Sequence, residues 1–334
     1  MPLNRNLTKN IVLVMILISS LLLIINFLSD RYEERRPLFD AFYECAYPKY
    51  AAHRGDYDQF WASFVNSTLA CEDLPAYRRL DIRPVSNKDE IKYVALPNKK
   101  DHTLTMVTFG VGHDVTAEIE MKQVWRNTNF YGVDPSSDVN KALYEGNLGG
   151  KFFEYAISGH SGKQKSYILT KEYRNETIMH IRADTFFGDI LRKPIVDLLW
   201  MDTEGYEFPV LEMIHKEGPL DDQGIKLCQI NVEIHKDIEN GITGERKMFH
   251  DFVWRLMEDK RYIMIRPFNV FWYHDFIRIV LINVADKECT DLYDFYTCLK
   301  CLHQGVRQNC RVCRLPNLPS TANFEICRTR QKFD

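Results

Sequence analysis

A chain of 334 residues that is 45% hydrophobic and 27% charged has the composition of an ordinary globular protein. Its 43 basic residues against 46 acidic ones leave a net charge of −3, which gives no electrostatic case for a nucleic-acid partner. This length admits one sizeable core with appendages, or two small domains.

Ile11 to Leu28 is an uncharged apolar run interrupted only by Ser19, Ser20 and Asn26. As a helix rising about 1.5 Å per residue it spans roughly 27 Å, enough for a thin bilayer. Arg5 and Lys9 precede it, and a mixed-charge segment from Asp30 to Arg36 follows. The positive-inside rule therefore predicts a cytoplasmic tail over 1–10, a signal anchor over 11–28 and a luminal remainder. The competing reading is a cleaved signal peptide. It would have a shorter apolar core and a small-residue cleavage site, and Phe27-Leu28-Ser29-Asp30 is a poor one. All nine cysteines follow the anchor, as do the glycosylation sequons at Asn66 and Asn175, while the Asn6 sequon would be cytoplasmic. The expected setting is a single-pass membrane protein of the Golgi or endoplasmic reticulum.

Residues 29–88, rich in aromatic and charged side chains, read as a luminal stem in which Cys45 and Cys71 can close a local disulfide loop. Pro84, Pro97 and the polar stretch from Ser86 to Glu90 mark its boundary. Over 89–286 strands and helices alternate. Strands are predicted at Leu104–Phe109, Phe130–Val133, Phe152–Ile157, Ile195–Met201 and Leu227–Ile234. Helices are predicted at Ala117–Trp125, Asp138–Tyr144 and Arg246–Met257. A last pair of strands near Tyr262–Arg266 and Ile277–Val284, with no helix between, predicts an antiparallel edge hairpin. The fold class is α/β, a doubly wound, mostly parallel sheet.

From 287 to 334 six cysteines crowd together. Cys298-x2-Cys301 and Cys310-x2-Cys313 have the form of a four-thiolate zinc knuckle, but a luminal setting favours disulfides. An odd count leaves one thiol over, and Cys228, in an apolar strand, is the expected one.

The segment from Ile195 to Leu211 is the richest in chemistry. Its apolar run stops at Asp202 and Glu204, where a buried parallel strand ends and open α/β sheets bind ligands. Two acids there suit proton abstraction or metal coordination; the bland alternative is one helix cap and one solvated acid. The first strand leads into Thr108-Phe-Gly-Val-Gly-His-Asp114, in which Gly110 and Gly112 permit a tight turn and close backbone approach to a ligand. The next strand ends at Asp134, an acid able to accept both hydroxyls of a ribose. Val115 replaces the third glycine of the dinucleotide fingerprint, which disfavours a nicotinamide dehydrogenase but not an adenosine ligand without phosphates.

From about 103 to 284 the chain resembles the FkbM-type methyltransferases, especially a membrane-anchored animal branch of methyltransferase-like proteins. The glycine turn, the acid-ended strand from Phe130 to Ser136, and Phe153 to Gly162 match in order. So does Leu198 to Leu211, like that family's Leu-Leu-Lys-Ile-Asp-x-Glu-Gly-x-Glu-x-x-Val-Leu signature, and more weakly Ile230 to His235. The resemblance implies a seven-stranded Rossmann-like sheet that binds S-adenosylmethionine. Gly110 and Gly112 would border the methionine moiety, Asp134 would hold the ribose, and Ala156 and Ile157 would flank the adenine. Thr108 stands where many such enzymes place an acid, with His113 or Asp114 as substitutes. The expected activity is O-methyl transfer to a glycan, glycolipid or secreted-protein hydroxyl. Asp202 or His235 would be the base; Glu204 and Glu233 would orient the acceptor or bind Mg2+ or Mn2+. Two rivals stay open: a luminal glycosyltransferase using Asp202-Thr203-Glu204 as its metal motif, and a non-catalytic binding protein on the same fold.

Overall fold

The structure, a computed structural model, describes residues 5–34, 37–88, 90–235, 241–270 and 276–293. The cysteines from Cys298 to Cys327, and with them the choice between zinc and disulfides, lie outside the described residues.

Seven strands form the central sheet: β1 (Leu104–Phe109), β2 (Thr128–Val133), β3 (Lys151–Phe153), β4 (Leu198–Met201), β5 (Gln229–Ile234), β6 (Tyr262–Val270) and β7 (Phe276–Asn283). Their order across the sheet is β3-β2-β1-β4-β5-β7-β6. The pairs from β3 to β5 are parallel, whereas β7 runs antiparallel to both neighbours, giving the expected edge hairpin. Order reverses at β1, so the carboxyl ends of β1 and β4 open on a switch-point crevice.

Side chains alternate across these buried strands, and each face has its own core. Val107, Phe109, Leu199 and Met201 face the larger one, with Ile230 and Val232. Leu104, Met106, Leu198 and Trp200 face the smaller one. That smaller core is closed by the helices Thr116–Val124 and Ser137–Leu148 and by an antiparallel hairpin, Asp81–Ser86 with Ile91–Leu96. The polar stretch that suggested a boundary falls between this hairpin's two strands in sequence.

The expected stem is, from Leu38 onward, part of the larger core. Helices Leu38–Ala51 and Tyr57–Leu69 bury Phe42, Phe60 and Phe64, and Phe64 meets Phe249 of the helix Gly241–Asp259 edge-on at 4.7 Å. The aromatic residues read as stem decoration are core. Cys45 and Cys71 form a disulfide. Arg5–Glu34 is one helix, and its Val12–Ser29 window, of mean hydropathy 2.7 and unburied, is long and apolar enough to cross a membrane.

Two polar residues split what read as continuous strands. Asp197 separates Ile195–Val196 from β4: its backbone N–H donates to Thr105 O at 3.0 Å, and its carboxylate accepts the Thr105 N–H at 2.7 Å. Ile195–Val196 pairs instead with Lys226–Leu227. Cys228 then interrupts the run into β5 and is disulfide-bonded to Cys289, which corrects the expectation that it is the unpaired thiol. The helix Lys287–Tyr293 brings Cys289 alongside, 61 residues further on, a proximity no local pattern encodes.

Candidate functional site

The turn after β1 is built from left-handed residues: φ is +83° at Gly110, +64° at Gly112 and +62° at His113. Gly110 is glycine because the chain crosses itself there: a Cβ would stand 1.9 Å from the carbonyl oxygen of Asp202. The close approach expected toward a ligand is, at Gly110, an approach to the end of β4. Gly112 has nothing within 4 Å of its missing Cβ and leaves that space open. Asp134 ties the turn to β2, accepting the N–H of Val111 at 2.8 Å and of Ser136 at 2.7 Å. Burial raises its pKa against the pull of these donors.

Thr108 points the other way. Its hydroxyl donates to Glu118 at 3.1 Å and accepts from Tyr144 at the same distance, beneath the turn. Glu118, a buried acid on the helix Thr116–Val124, is lifted by burial to a pKa of about 7. Burial also lowers the pKa of nearby Lys92. An acid near the end of β1 is therefore present, contributed by the following helix.

The loop after β4 is held by a residue that sequence reasoning passed over. Glu207, fully buried, accepts from the Thr203 N–H at 2.9 Å, the Thr203 hydroxyl at 3.2 Å and the Gly205 N–H. These bonds hold Glu204 in a left-handed conformation, φ +52°, before Gly205 at +105°. Glu207 also lies 3.1 Å from Nδ1 of His235. The other nitrogen, Nε2, is 3.1 Å from Glu233, 3.8 Å from Asp202 and 3.9 Å from Glu204.

Burial alone would neutralise His235, but Glu207, Glu233 and Asp202 outweigh it and raise its pKa well above 6.5. Burial works against Glu233 too, yet His235 and Arg278 hold its carboxyl below the usual range. Asp202 goes the opposite way: burial and then the Glu233 charge push it up to about 8. Its side chain keeps 39% of its surface open, so solvent tempers that shift without changing its direction. Burial raises Glu204 as well, against a hydrogen bond from Tyr173.

Asp202, Glu207 and His235 offer donor atoms within 4.8 Å of one another, the geometry of a metal site. Their chemistry does not fit Mg2+ or Mn2+. Such hard cations take free oxygen ligands, and the Glu207 oxygens already accept from the loop and from His235.

Above the turn lies a cleft of about 620 Å³, counted with the space open to solvent. Gly110, Gly112, Asp134, Ala156, Ile157, Asp202 and Glu204 line it; Thr108, Glu233 and His235 do not. Its roof is a hairpin the sequence did not reveal, Gly162–Leu169 with Tyr173–Arg182, on which Ala156–Ser158 pairs as a third strand. Among the described lining residues there are three carboxylates and no lysine or arginine.

A family model described as "Methyltransferase FkbM domain" matches residues 50–290. No curated protein matches the chain. Among solved structures, the precorrin-6y C5,15-methyltransferase of Geobacter metallireducens is 12% identical, with a TM-score of 0.26, over 54% of this chain and 79% of that one. A variant of the 16S rRNA (adenine(1408)-N(1))-methyltransferase of Catenulisporales acidiphilia, with its cosubstrate SAM, is 11% identical, with a TM-score of 0.29, over 62% of this chain and 99% of that one. At these identities and TM-scores the likenesses decide nothing about the chemistry.

Proposed function

Because the chain belongs to the FkbM methyltransferase family, we propose that it moves a methyl group from S-adenosylmethionine to a hydroxyl of a glycan, glycolipid or secreted protein in the secretory-pathway lumen. The observation that carries this reading is the convergence of the glycine turn, Asp134, Ala156 and Ile157 with Asp202 and Glu204 on one cleft. The site fits the cofactor: Gly112 leaves open space, and the lining is mainly apolar with a few acids, as a cationic ligand requires. The membrane-length helix and two disulfides support a luminal setting, with residues 1–10 cytoplasmic and 11–28 as anchor.

When bound, S-adenosylmethionine supplies a methyl group on a sulfonium, an electrophile. Gly110 and Gly112 would border its methionine end and Asp134 would hold its ribose. Asp202 would be the base: its carboxylate would take the proton of the acceptor hydroxyl as that oxygen receives the methyl group. A carboxyl poised at about 8 suits this task near neutral pH. His235, already protonated, cannot take a proton; it holds Asp202 and Glu204 in place. Glu204, bonded to Tyr173, orients the acceptor, and Glu233 acts behind the cleft through His235 and Arg278.

The glycosyltransferase reading asks the same cleft to take a diphosphate. Three carboxylates and no cation in the described lining oppose that charge. Calorimetry on the full chain, with S-adenosylmethionine, S-adenosylhomocysteine and a UDP-sugar plus Mn2+, tests the proposal. Micromolar binding of the first two, lost in Asp134→Ala, is expected. Binding of the UDP-sugar alone would overturn it.

A further inference from the structure

The roof hairpin carries polar chemistry that methyl transfer does not use. Its register pairs Gly162 with His180 and Gln164 with Ile178, so residues 166, 168, 178 and 180 share one face, and all four line the cleft. On that face Ser166 Oγ lies 2.6 Å from His180 Nε2. His180 is 1% exposed, and its Nδ1 is buried with no hydrogen-bond partner among the described residues. The strand of His180 pairs with Ala156, and the Tyr206 ring packs 4.6 Å from the imidazole.

We propose that Ser166 and His180 form the subsite that reads the hydrogen-bonding edge of the cofactor's adenine, an inference that rests on the S-adenosylmethionine reading above. Asp134 fixes the ribose, with the glycine turn on one side of it. The cleft continues on the other side past Ala156 and Ile157, an apolar slot for a flat heterocycle, and reaches His180. Burial holds the His180 pKa down to about 4, so the ring is neutral and offers one donor and one acceptor. Ser166 takes one nitrogen and leaves the other for a ligand. A buried polar atom left unpaired is destabilising, and a matched base edge relieves that cost.

The test uses the full chain and two ligands, S-adenosylhomocysteine and its analogue with unsubstituted purine as the base, which lacks the exocyclic amine whose N–H the free His180 nitrogen would accept. The wild type is expected to prefer the adenine compound by about tenfold or more. In His180→Ala the preference falls to about unity while the adenine compound still binds, and Ser166→Ala lies between. His180→Asn, which keeps a neutral donor and acceptor, retains part of the preference and guards against a folding artefact, with thermal melts as the check. An undiminished preference in a folded His180→Ala, or equal wild-type binding of both compounds, overturns the subsite and leaves the methyltransferase reading standing. Binding of neither by the wild type overturns both.

Discussion

The Glu207 carboxylate and the His235 imidazole lie 3.1 Å apart, and each keeps its charge in the interior because of the other. Burial opposes ionisation of both, but the pairing lowers the Glu207 pKa and raises that of His235. The two shifts act on stability from opposite sides. The His235 contribution is fully present below its unfolded value of about 6.5 and is lost as pH rises through its folded pKa. The Glu207 contribution is present above about 4.3 and is lost as pH falls through its folded pKa. Glu207→Gln leaves a buried imidazolium short of a partner and should cost about 3–5 kcal/mol at pH 6. The deficit should narrow at alkaline pH. Denaturant melts from pH 5 to 10 check this; a deficit that does not change with pH would rule the pairing out as its source.

Asp202 predicts a rate profile. Its pKa of about 8, raised by burial and by Glu233, means that the basic form accumulates only as pH climbs through that value. Methyl transfer should therefore rise with pH along a limb with an apparent pKa of about 8, a property of the coupled acids as a group. Asp202→Asn should lower transfer by about 100-fold or more and flatten the limb. A variant with full activity removes Asp202 from the mechanism.

The same carboxyl predicts a gain in stability. A carboxyl whose folded pKa is raised binds more protons folded than unfolded, so it costs stability increasingly from about pH 4 up to its folded pKa. Asp202→Asn should therefore melt higher than the wild type at pH 9 and show little difference at pH 4. Each kcal/mol regained would appear as roughly 2–4 °C. A lower melting temperature at pH 9 would mean that the ionised group is stabilising, contrary to its raised pKa.

The two glycines of the turn should separate folding from binding. Gly110→Ala places a methyl 1.9 Å from the Asp202 carbonyl and should leave no folded protein in a soluble-expression and melting assay. Gly112→Ala meets no atom and pays only for its positive φ, about 1–2 kcal/mol, so it should fold and lose cofactor affinity. Equal behaviour of the two would contradict the crossing at Gly110.

How much of this was legible depended on how local each signal is. β1, β2, β4 and β5 announce themselves as apolar runs, and Asp134, Asp202 and Glu204 stand where such runs stop. The stem was misread because Phe60 and Phe64 have their packing partner in Phe249, far along the chain. The roof hairpin was invisible because Gly162–Leu169 and Tyr173–Arg182 carry Lys163, Lys165 and Asn175 on one face and Arg174, Glu176 and Arg182 on the other, which blunts the alternation. Glu118 and His180 gave no signal, since a single polar residue in an amphipathic segment looks solvated until its neighbours are known. Glu207 was within reach: three residues after Glu204, at the start of the helix Glu207–Leu211, it is an acid positioned to bond back to that loop.

Cys228 and Cys289 join the start of β5 to the last described helix, so their bond reports on both the docking of that helix and its redox setting. A crosslink spanning 61 residues stabilises chiefly by restricting the unfolded chain, typically by about 2–4 kcal/mol. The double variant Cys228→Ala/Cys289→Ala should therefore melt lower, by roughly 2–4 °C for each kcal/mol lost. Peptide mapping of the oxidised wild type should recover the two cysteines in one linked fragment that separates on reduction. Because both residues are buried, the reductant should act on the folded protein only slowly, and loss of stability should track cleavage of this bond. Two free thiols at these positions in protein from an oxidising compartment would remove the crosslink, and with it one support for luminal residence.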